Sequence, residues 1–145
     1  MTIQTDGHPT TISFSAGSSG VTLTDILAEK EVTPPGMDGG GANDTTTMRN
    51  SLYRTFQPKS LITVTASSFT AAYDPALLDE IVAMINTNQQ LTITFPDSST
   101  WVIWGWLNSF VPNPSTEGSQ PTATVTIIPS NQNDSAVETA LVYSA

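Results

Sequence analysis

Residues 91–128 read LTITFPDSSTWVIWGWLNSFVPNPSTEGSQPTATVTII, and the rest of the chain is interpreted around them. It contains three segments typical of strands, separated by two segments rich in turn residues. In residues 91–95 and 122–128, apolar side chains alternate with threonines, which is the pattern of a strand with one buried face. The segment between them, residues 101–111, is apolar at both parities and should be covered on both faces. The pattern predicts three consecutive strands at the centre of a mainly β fold.

All three tryptophans of the chain lie in the middle strand. A period of two places Trp101 and Leu107 on one face of this strand. It places Trp104, Trp106 and Phe110 on the other face. A stripe of aromatic and aliphatic residues is more often core or interface than a platform for sugar rings, although a carbohydrate-binding module is an alternative. We therefore expect four aromatic residues in the core or at a subunit interface, namely Trp101, Trp104, Trp106 and Phe110.

The composition limits the classes of function that the chain can have. Its 145 residues fit one domain, residues 1–145, and carry thirteen acidic and four basic side chains, for a net charge of −9. Proteins that bind nucleic acids specifically need clustered Lys and Arg to neutralise phosphates, so this class is disfavoured. No apolar run is long enough to span a bilayer and the first residues do not resemble a signal peptide, so we expect no membrane role.

Further elements are indicated outside the central stretch. Asp74 and Pro75 have the residue types of an N-cap and a first helical position, and they predict the start of one helix. Residues 130–145 form a polar tail with a late apolar patch. Additional strands are expected at residues 11–14, 21–27, 51–56 and 61–65. The apolar stripe of the helix should comprise Leu77, Leu78, Ile81, Met84 and Ile85.

The segment VTPPGMDGGGANDTTTMRN, residues 32–50, differs from the rest of the chain. Two prolines oppose helix and central strand, and three consecutive glycines leave the backbone with few restrictions. A loop of this length without structure of its own is usually functional or disordered. We expect a long loop, residues 32–54, that has few contacts in the free subunit and becomes ordered on contact with a partner.

Residues that carry chemistry are scarce. The chain has no cysteine, and its single histidine, His8, lies beside a proline near the N-terminus. No phosphate-binding glycine motif occurs, and Asp38 and Asp44 do not have the spacing of a calcium loop. We therefore expect a protein that is not an enzyme and that has no catalytic residues, no metal site and no cofactor.

The chain resembles the tail tube proteins of long-tailed bacteriophages in the order of several sequence motifs. These motifs are the glycine-rich segment VTPPGMDGGGANDTTTMRN, then RTFQPKSL, then AYDPALLDEIVAMIN, and finally the stretch from LTITFPDSSTWVIWGW to TATVTIIPS. The resemblance covers residues 32–131. Ser98 stands where glycine is common in the turn after the first central strand.

The resemblance implies a β-sandwich or barrel-forming domain with one flanking helix and a long inter-strand loop. It implies a structural virion protein, assembled in the host cytoplasm, whose hexameric rings stack into the tail tube with other tail proteins and let DNA pass without specific binding. The long loop would reach the adjacent ring, through Pro34, Pro35, Gly36, Asp38, Gly39, Gly40, Gly41, Asp44 and Arg49. A capsid decoration protein is the main alternative within virion proteins.

A conduit for DNA should not hold phosphates. We therefore expect a lumen lined by Ser and Thr hydroxyls with an excess of Asp or Glu, and basic residues that lie elsewhere or in ion pairs. The helix carboxylates Asp79 and Glu80 should lie outside the lumen.

Overall fold

The computed structural model describes residues 6–16, 21–23, 28–72 and 74–145. These residues form β-strands, one 3₁₀ turn (Pro75–Leu77) and one short helix, α1 (Leu78–Met84). The strands in chain order are β1 (Thr11–Ala16), β2 (Val21–Leu23), β3 (Ala28–Thr33), β4 (Met37–Asp38), β5 (Ala42–Asp44), β6 (Phe56–Pro58), β7 (Thr63–Val64), β8 (Ser67–Ala72), β9 (Gln89–Thr94), β10 (Thr100–Pro112), β11 (Thr122–Pro129) and β12 (Val142–Ser144).

One antiparallel sheet contains most of these strands, in the order β2-β1-β9-β10-β11-β8-β3, with β12 beside β10. The strands β9, β10 and β11 are the three that the central stretch predicts, and this prediction is confirmed. Every second residue of β8, β9 and β11 is buried, and the residues between them are half-buried. The sheet therefore has a core side and an opposite side, which we call the open face. The open face includes Thr70, Thr92, Thr94, Trp104, Trp106, Thr124 and Thr126.

The sheet rolls around its core side until strands from opposite parts of the sheet meet. The rings of Phe14 on β1 and Phe69 on β8 have centroids 6.2 Å apart. The backbone N–H of Ile12 donates a hydrogen bond to the carboxylate of Glu29 on β3, at 3.0 Å. A rolled sheet with one enclosed core confirms the expected barrel-forming β domain. The core comprises Ile12, Phe14, Phe69, Ala71, Ile81, Met84, Leu91, Ile93, Ile103, Leu107, Val125 and Ile127.

A β-bulge in β10 decides the orientation of Phe110. The pairing of β10 with β11 shifts after Leu107, where one extra residue is inserted in β10. Phe110 is therefore opposite the buried Val125, and it packs against the core. The prediction that Phe110 shares a face with Trp104 and Trp106 is wrong, because an inserted residue reverses the alternation of faces.

The helix begins as the sequence predicts. The side chain of Asp74 accepts a hydrogen bond from the backbone N–H of Ala76, at 3.0 Å, and Pro75 opens the 3₁₀ turn that leads into α1. The N-cap satisfies one of the N–H groups that a helix start leaves without a partner. Asn86, with φ of 60°, follows the helix in the left-handed region, where Asn is better tolerated than most residues.

Part of the apolar stripe predicted for the helix packs against the sheet. Ile81 and Met84 are buried in the core and Ile85 packs against it, so the helix covers the core side of the sheet. The backbone N–H of Asn86 donates to the carbonyl of Leu107, at 3.1 Å, and joins the end of the helix to β10. Leu78 was expected in the stripe but is half exposed, because a helix this short presents only one turn to the sheet.

Of the four additional strands, one is longer than predicted, one is shorter, one is largely wrong and one is only partly described. The strand expected at residues 11–14 is confirmed and extends as β1. The strand expected at 51–56 is wrong except for Phe56, and the one at 61–65 shrinks to Thr63–Val64. Residues 21–23 form the strand expected at 21–27, and the remainder of that range lies outside the described residues.

The C-terminal segment is part of the sheet. Val142 is opposite Val102, and Tyr143 is opposite Trp101, so β12 extends the sheet beside the first half of β10. Leu141 packs against the core. The description of residues 130–145 as a tail is therefore wrong for its last residues, whose pairing partners lie about forty positions earlier in the chain.

Candidate assembly interface

Residues 34–66 form a hairpin-like arm between β3 and β8. Successive rungs join its two sides: β4 pairs with β7, β5 pairs with β6, and the N–H of Thr45 donates to the carbonyl of Thr55, at 2.9 Å. The expectation of a loop with few contacts of its own is therefore wrong. Its two sides come from sequence segments that are far enough apart to hide their pairing from local inspection.

The base of the arm contains the first of the predicted loop residues. Pro35 is buried and Pro34 is half-buried. The N–H of Gly36 donates to Oγ1 of Thr65, at 2.9 Å, and the N–H of Thr65 donates to the carbonyl of Gly36, also at 2.9 Å. These two hydrogen bonds join the two sides of the arm at its base. Pro35 is already covered within its own subunit, and its contact with another ring stays a prediction.

The glycines form the connection between β4 and β5. Gly40 and Gly41 have φ of 79° and 85°, a region in which residues with a Cβ are strained. The carboxylate of Asp38 accepts a hydrogen bond from the N–H of Gly40, at 2.8 Å. Asp38 therefore stabilises the turn, and the positive φ at Gly40 and Gly41 interrupts the strand between β4 and β5.

The far end of the arm, residues 45–55, is an ordered structure that we call the tip. Asn50 organises it. The side-chain oxygen of Asn50 accepts hydrogen bonds from the N–H and the Oγ1 of Thr47, at 3.0 and 3.1 Å. Its Nδ2 donates to the carbonyl of Tyr53, at 2.9 Å. Because one half-buried side chain binds both limbs of the turn, the tip has a definite shape without a hydrophobic core.

The charges near the tip are partly paired. Asp44 lies 3.4 Å from Nη1 of Arg54, and its Oδ1 accepts from the N–H of Thr46, at 2.9 Å. Hydrogen bonds from Thr46, first through its side chain and then through its backbone, lower the pKa of Asp44, and Arg54 adds a smaller effect. Arg49 has no carboxylate within ion-pair distance in the described residues. Of the three predicted polar contacts, Asp38 and Asp44 already accept hydrogen bonds within the arm, whereas Arg49 is available for a contact with another copy.

The arm carries large apolar side chains that nothing in the described residues covers. Met48 is fully exposed, and Leu52 and Tyr53 are 83% and 80% exposed. Met37, Phe56, Leu61 and Ile62 are also more than half exposed. Exposed apolar residues that cluster in this way indicate an interaction surface. The sequence analysis assigned Leu52, Tyr53, Phe56, Leu61 and Ile62 to strands, and it left Met37 and Met48 in the loop without a role. The signal that could have identified them was their position in or beside a segment rich in Pro, Gly and Thr.

The aromatic residues of β10 divide between the two sides of the sheet. Trp101 packs edge-on against Phe95 on the core side, with ring centroids 5.7 Å apart, and Phe110 lies on the same side. Trp104 and Trp106 lie on the open face and are half-buried. The four residues predicted as core or interface therefore form two pairs with different surroundings.

The open face is uncharged over its central strands. β8, β9, β10 and β11 contain no Asp, Glu, Lys or Arg. Threonine is the commonest side chain on this part of the open face, which also carries Val102, Trp104, Trp106 and Ile128. Such a surface can pack against another copy or face water, and it has no cation with which to bind phosphate.

Groups suited to catalysis or metal binding do not come together in the described residues. No three His, Asp or Glu side chains in that part of the chain are placed to hold a metal ion. His8 is exposed, and Asp38 and Asp44 each serve a separate turn of the arm. None of the described helices is long and apolar enough to cross a bilayer.

No family model and no curated protein matches the chain. Solved structures do resemble it. A chain of the six-fold symmetrised cryo-EM structure of the anti-feeding prophage baseplate matches with a TM-score of 0.69 at 9% identity, covering 100% of this chain and 98% of that one. A chain of the tail of an empty GTA particle with C6 symmetry matches with a TM-score of 0.60 at 15% identity, covering 92% and 94%. The chain therefore has the fold of subunits found in these tail and baseplate assemblies.

Proposed function

We propose that this protein is a structural subunit of a phage tail, and that its copies form rings, most simply hexameric, that stack into a tail tube. One observation carries the proposal: a β domain with the fold of subunits from two six-fold symmetric assemblies bears an arm with uncovered apolar side chains. The arm has no role in the core of its own subunit, and exposed apolar clusters favour contacts between subunits. On this proposal the protein is a virion component, assembled in the host cytoplasm beside other tail proteins.

Ring formation accounts for the edges of the sheet. β3 lies at one end of the sheet order and β2 at the other. The outer sides of such strands present backbone N–H and C=O groups that can pair with another chain. Pairing around a ring closes these edges, because a head-to-tail interface that closes by rotation produces a ring.

The open face supports a passive role toward DNA. An uncharged, hydroxyl-rich wall gives phosphates no multivalent binding site, so DNA can pass through without being held. We infer that this face lines the lumen, and that α1 with its exposed Asp79 lies on the opposite side. The central strands contribute no Asp or Glu to this face. Any excess of carboxylates in the lumen would therefore have to come from other parts of the chain.

The proposal includes the absence of enzymatic activity, of a resident metal or cofactor, and of a membrane role. It also distinguishes the protein from two alternatives. A capsid decoration protein would bind a capsid lattice and would not polymerise alone. A carbohydrate-binding module would remain monomeric and would use Trp104 and Trp106, which share the open face, to stack on sugars.

The test is the assembly state of the purified chain. Light scattering and negative-stain microscopy should show rings and tubes, formed alone or on addition of tail-tip components. A variant in which a two-residue turn replaces the tip, residues 45–55, should fold normally and form rings that do not stack. The shortening of an exposed loop elsewhere, residues 114–119, is the matched control and should leave stacking intact. A protein that stays monomeric at high concentration under all of these conditions contradicts the proposal.

A further inference from the structure

A groove lies at the base of the arm, between the arm and the C-terminal segment. It has a volume of about 460 Å³, and its walls include Met37, Leu61 and Ile62 from the arm and Glu138 and Leu141 from the C-terminal segment. Leu61 is 80% exposed, and Met37 and Ile62 are more than half exposed. The groove is thus apolar, with one exposed carboxylate at its wall.

The tip has the complementary properties. Its exposed side chains are the apolar Met48, Leu52 and Tyr53, and beside them the cationic Arg49. The hydrogen bonds of Asn50 hold these side chains on a preformed turn, so that binding would order few additional residues. The tip, which is apolar with one positive charge, is therefore complementary to the groove, which is apolar with one negative charge.

The two surfaces do not meet within one subunit. The groove is at the rung that joins Met37 and Val64, and the tip lies beyond the rung that joins Ala42 and Pro58. The chain from Tyr53 to Val64 can extend roughly 36 Å at about 3.3 Å per residue. Met48, Leu52 and Tyr53 are at least 80% exposed, so no other part of the described residues covers the apolar side chains of the tip.

We propose that the tip of one copy of this chain seats in the groove of another copy. Two different surfaces of the same chain then make a heterologous contact, and repetition of this contact adds copies in one direction. The inference rests on the proposed function and names its partner surface: the groove of the next ring receives the arm. Arg49 and Glu138 form an ion pair between copies, and Leu61 and Ile62 cover the apolar side chains of the tip.

The first test locates the contact in assembled full-length protein. A photo-activated cross-linker incorporated at position 48 should attach to a peptide containing residues 60–62 or 138–141 of another copy, as identified by mass spectrometry. The same cross-linker at position 117, on an exposed loop outside the arm, is the control and should not reach these peptides. If tubes form and the cross-linker at position 48 attaches elsewhere, the inference is wrong while the proposed function stands. If neither rings nor tubes form, the proposed function fails.

The second test uses exchanged charges. Arg49→Glu and Glu138→Arg should each raise the protein concentration needed for stacking by about threefold or more, and the double variant should recover most of the loss. Both residues are exposed, so the unfolding temperature of the monomer should not change. Lys59→Glu combined with Glu138→Arg is the mismatched control and should give no recovery. Equal loss in the Arg49→Glu/Glu138→Arg double variant and in the single variants would contradict the pairing.

Discussion

The carboxylate of Glu29 accepts a hydrogen bond from the backbone N–H of Ile12, at 3.0 Å, and thereby joins β3 to β1 where the rolled sheet meets itself. A side chain here takes the place of a strand-to-strand backbone hydrogen bond. Because the N–H group is buried from water by the roll of the sheet, the loss of its acceptor should be costly.

We therefore expect Glu29→Ala to lower the free energy of unfolding by about 1–3 kcal/mol, measured by denaturant titration. Glu29→Gln keeps an acceptor oxygen and should lose less. Glu31→Ala, at an exposed site on the same strand, is the control and should change the stability by less than about 0.5 kcal/mol. Equal effects at positions 29 and 31 would show that the Glu29 hydrogen bond contributes nothing.

Alanine substitutions of Trp104 and Trp101 should have different effects. The first tests the assembly of subunits, and the second tests the stability of the folded subunit. Trp104 is half-buried on the open face, so Trp104→Ala should destabilise the monomer by only roughly 1–2 kcal/mol. If the indole faces the lumen, the concentration needed for assembly should stay unchanged, whereas an indole at a subunit seam should raise it by at least about tenfold on removal. Trp101→Ala removes the contact with Phe95 and should cost about 3 kcal/mol of folding stability. Unfolding curves and light scattering on both variants would decide; unchanged assembly of the Trp104 variant excludes the seam.

Acid should loosen the tip of the arm. Hydrogen bonds from Thr46 and the proximity of Arg54 lower the pKa of Asp44 below its ordinary value of 3.8. A carboxyl group with a lower pKa in the folded state stabilises that state above its unfolded pKa, and the effect disappears as the pH falls through the folded pKa. The amide resonance of Thr46 should therefore titrate with a midpoint below 3.8 in NMR spectra.

Substitutions of Thr46 and Arg54 should show which of their hydrogen bonds lowers the pKa of Asp44 more. Thr46→Ala should raise the midpoint more than Arg54→Gln, because Thr46 has the larger effect on the Asp44 pKa. Asp44→Asn should abolish the titration. A midpoint above 3.8 in the unaltered protein would be inconsistent with this arrangement.

Ser98 has φ of 69° in the turn between β9 and β10, a left-handed conformation that glycine adopts without strain. Ser98→Gly relieves a cost of about 1 kcal/mol and adds the larger entropy that glycine loses on folding, for a net gain of roughly 0.5 kcal/mol. Thermal unfolding should show a small rise in midpoint. Ser119→Gly, at a position without positive φ, should lower the midpoint instead. A lower midpoint for the Ser98 variant would count against strain at this turn.

Gln89 is buried on the core side of β9, and neither its Oε1 nor its Nε2 has a hydrogen-bond partner among the described residues. A buried amide without partners costs about 1–3 kcal/mol. Gln89→Met keeps the length of the side chain and should raise the free energy of unfolding by about 1 kcal/mol. Gln57→Met, on the exposed arm, is the control and should be neutral. Destabilisation at position 89 would show that the amide is satisfied in solution.

Local patterns in the sequence were sufficient to predict the elements that depend only on residues close together in the chain. The alternation of apolar residues with threonine in β9 and β11 identified their buried faces, because side chains of a strand point to opposite sides in turn. Asp74 and Pro75 marked the start of the helical segment, because capping involves only neighbouring residues. Pro and Gly residues likewise indicated where the arm lies in the sequence. The arm is the part of the candidate interface that the sequence predicted.

Only the tertiary structure decided the features that depend on partners distant in the chain. The arm is a hairpin because Met37 pairs with Val64, and the C-terminal segment joins the sheet because Val142 pairs with Val102. The bulge in β10 turned Phe110 toward the core, and Leu52 and Tyr53 of the tip proved to be exposed although their pattern predicted a strand. Hydrophobicity indicates that a side chain should be covered, but which surface covers it depends on how the whole chain closes.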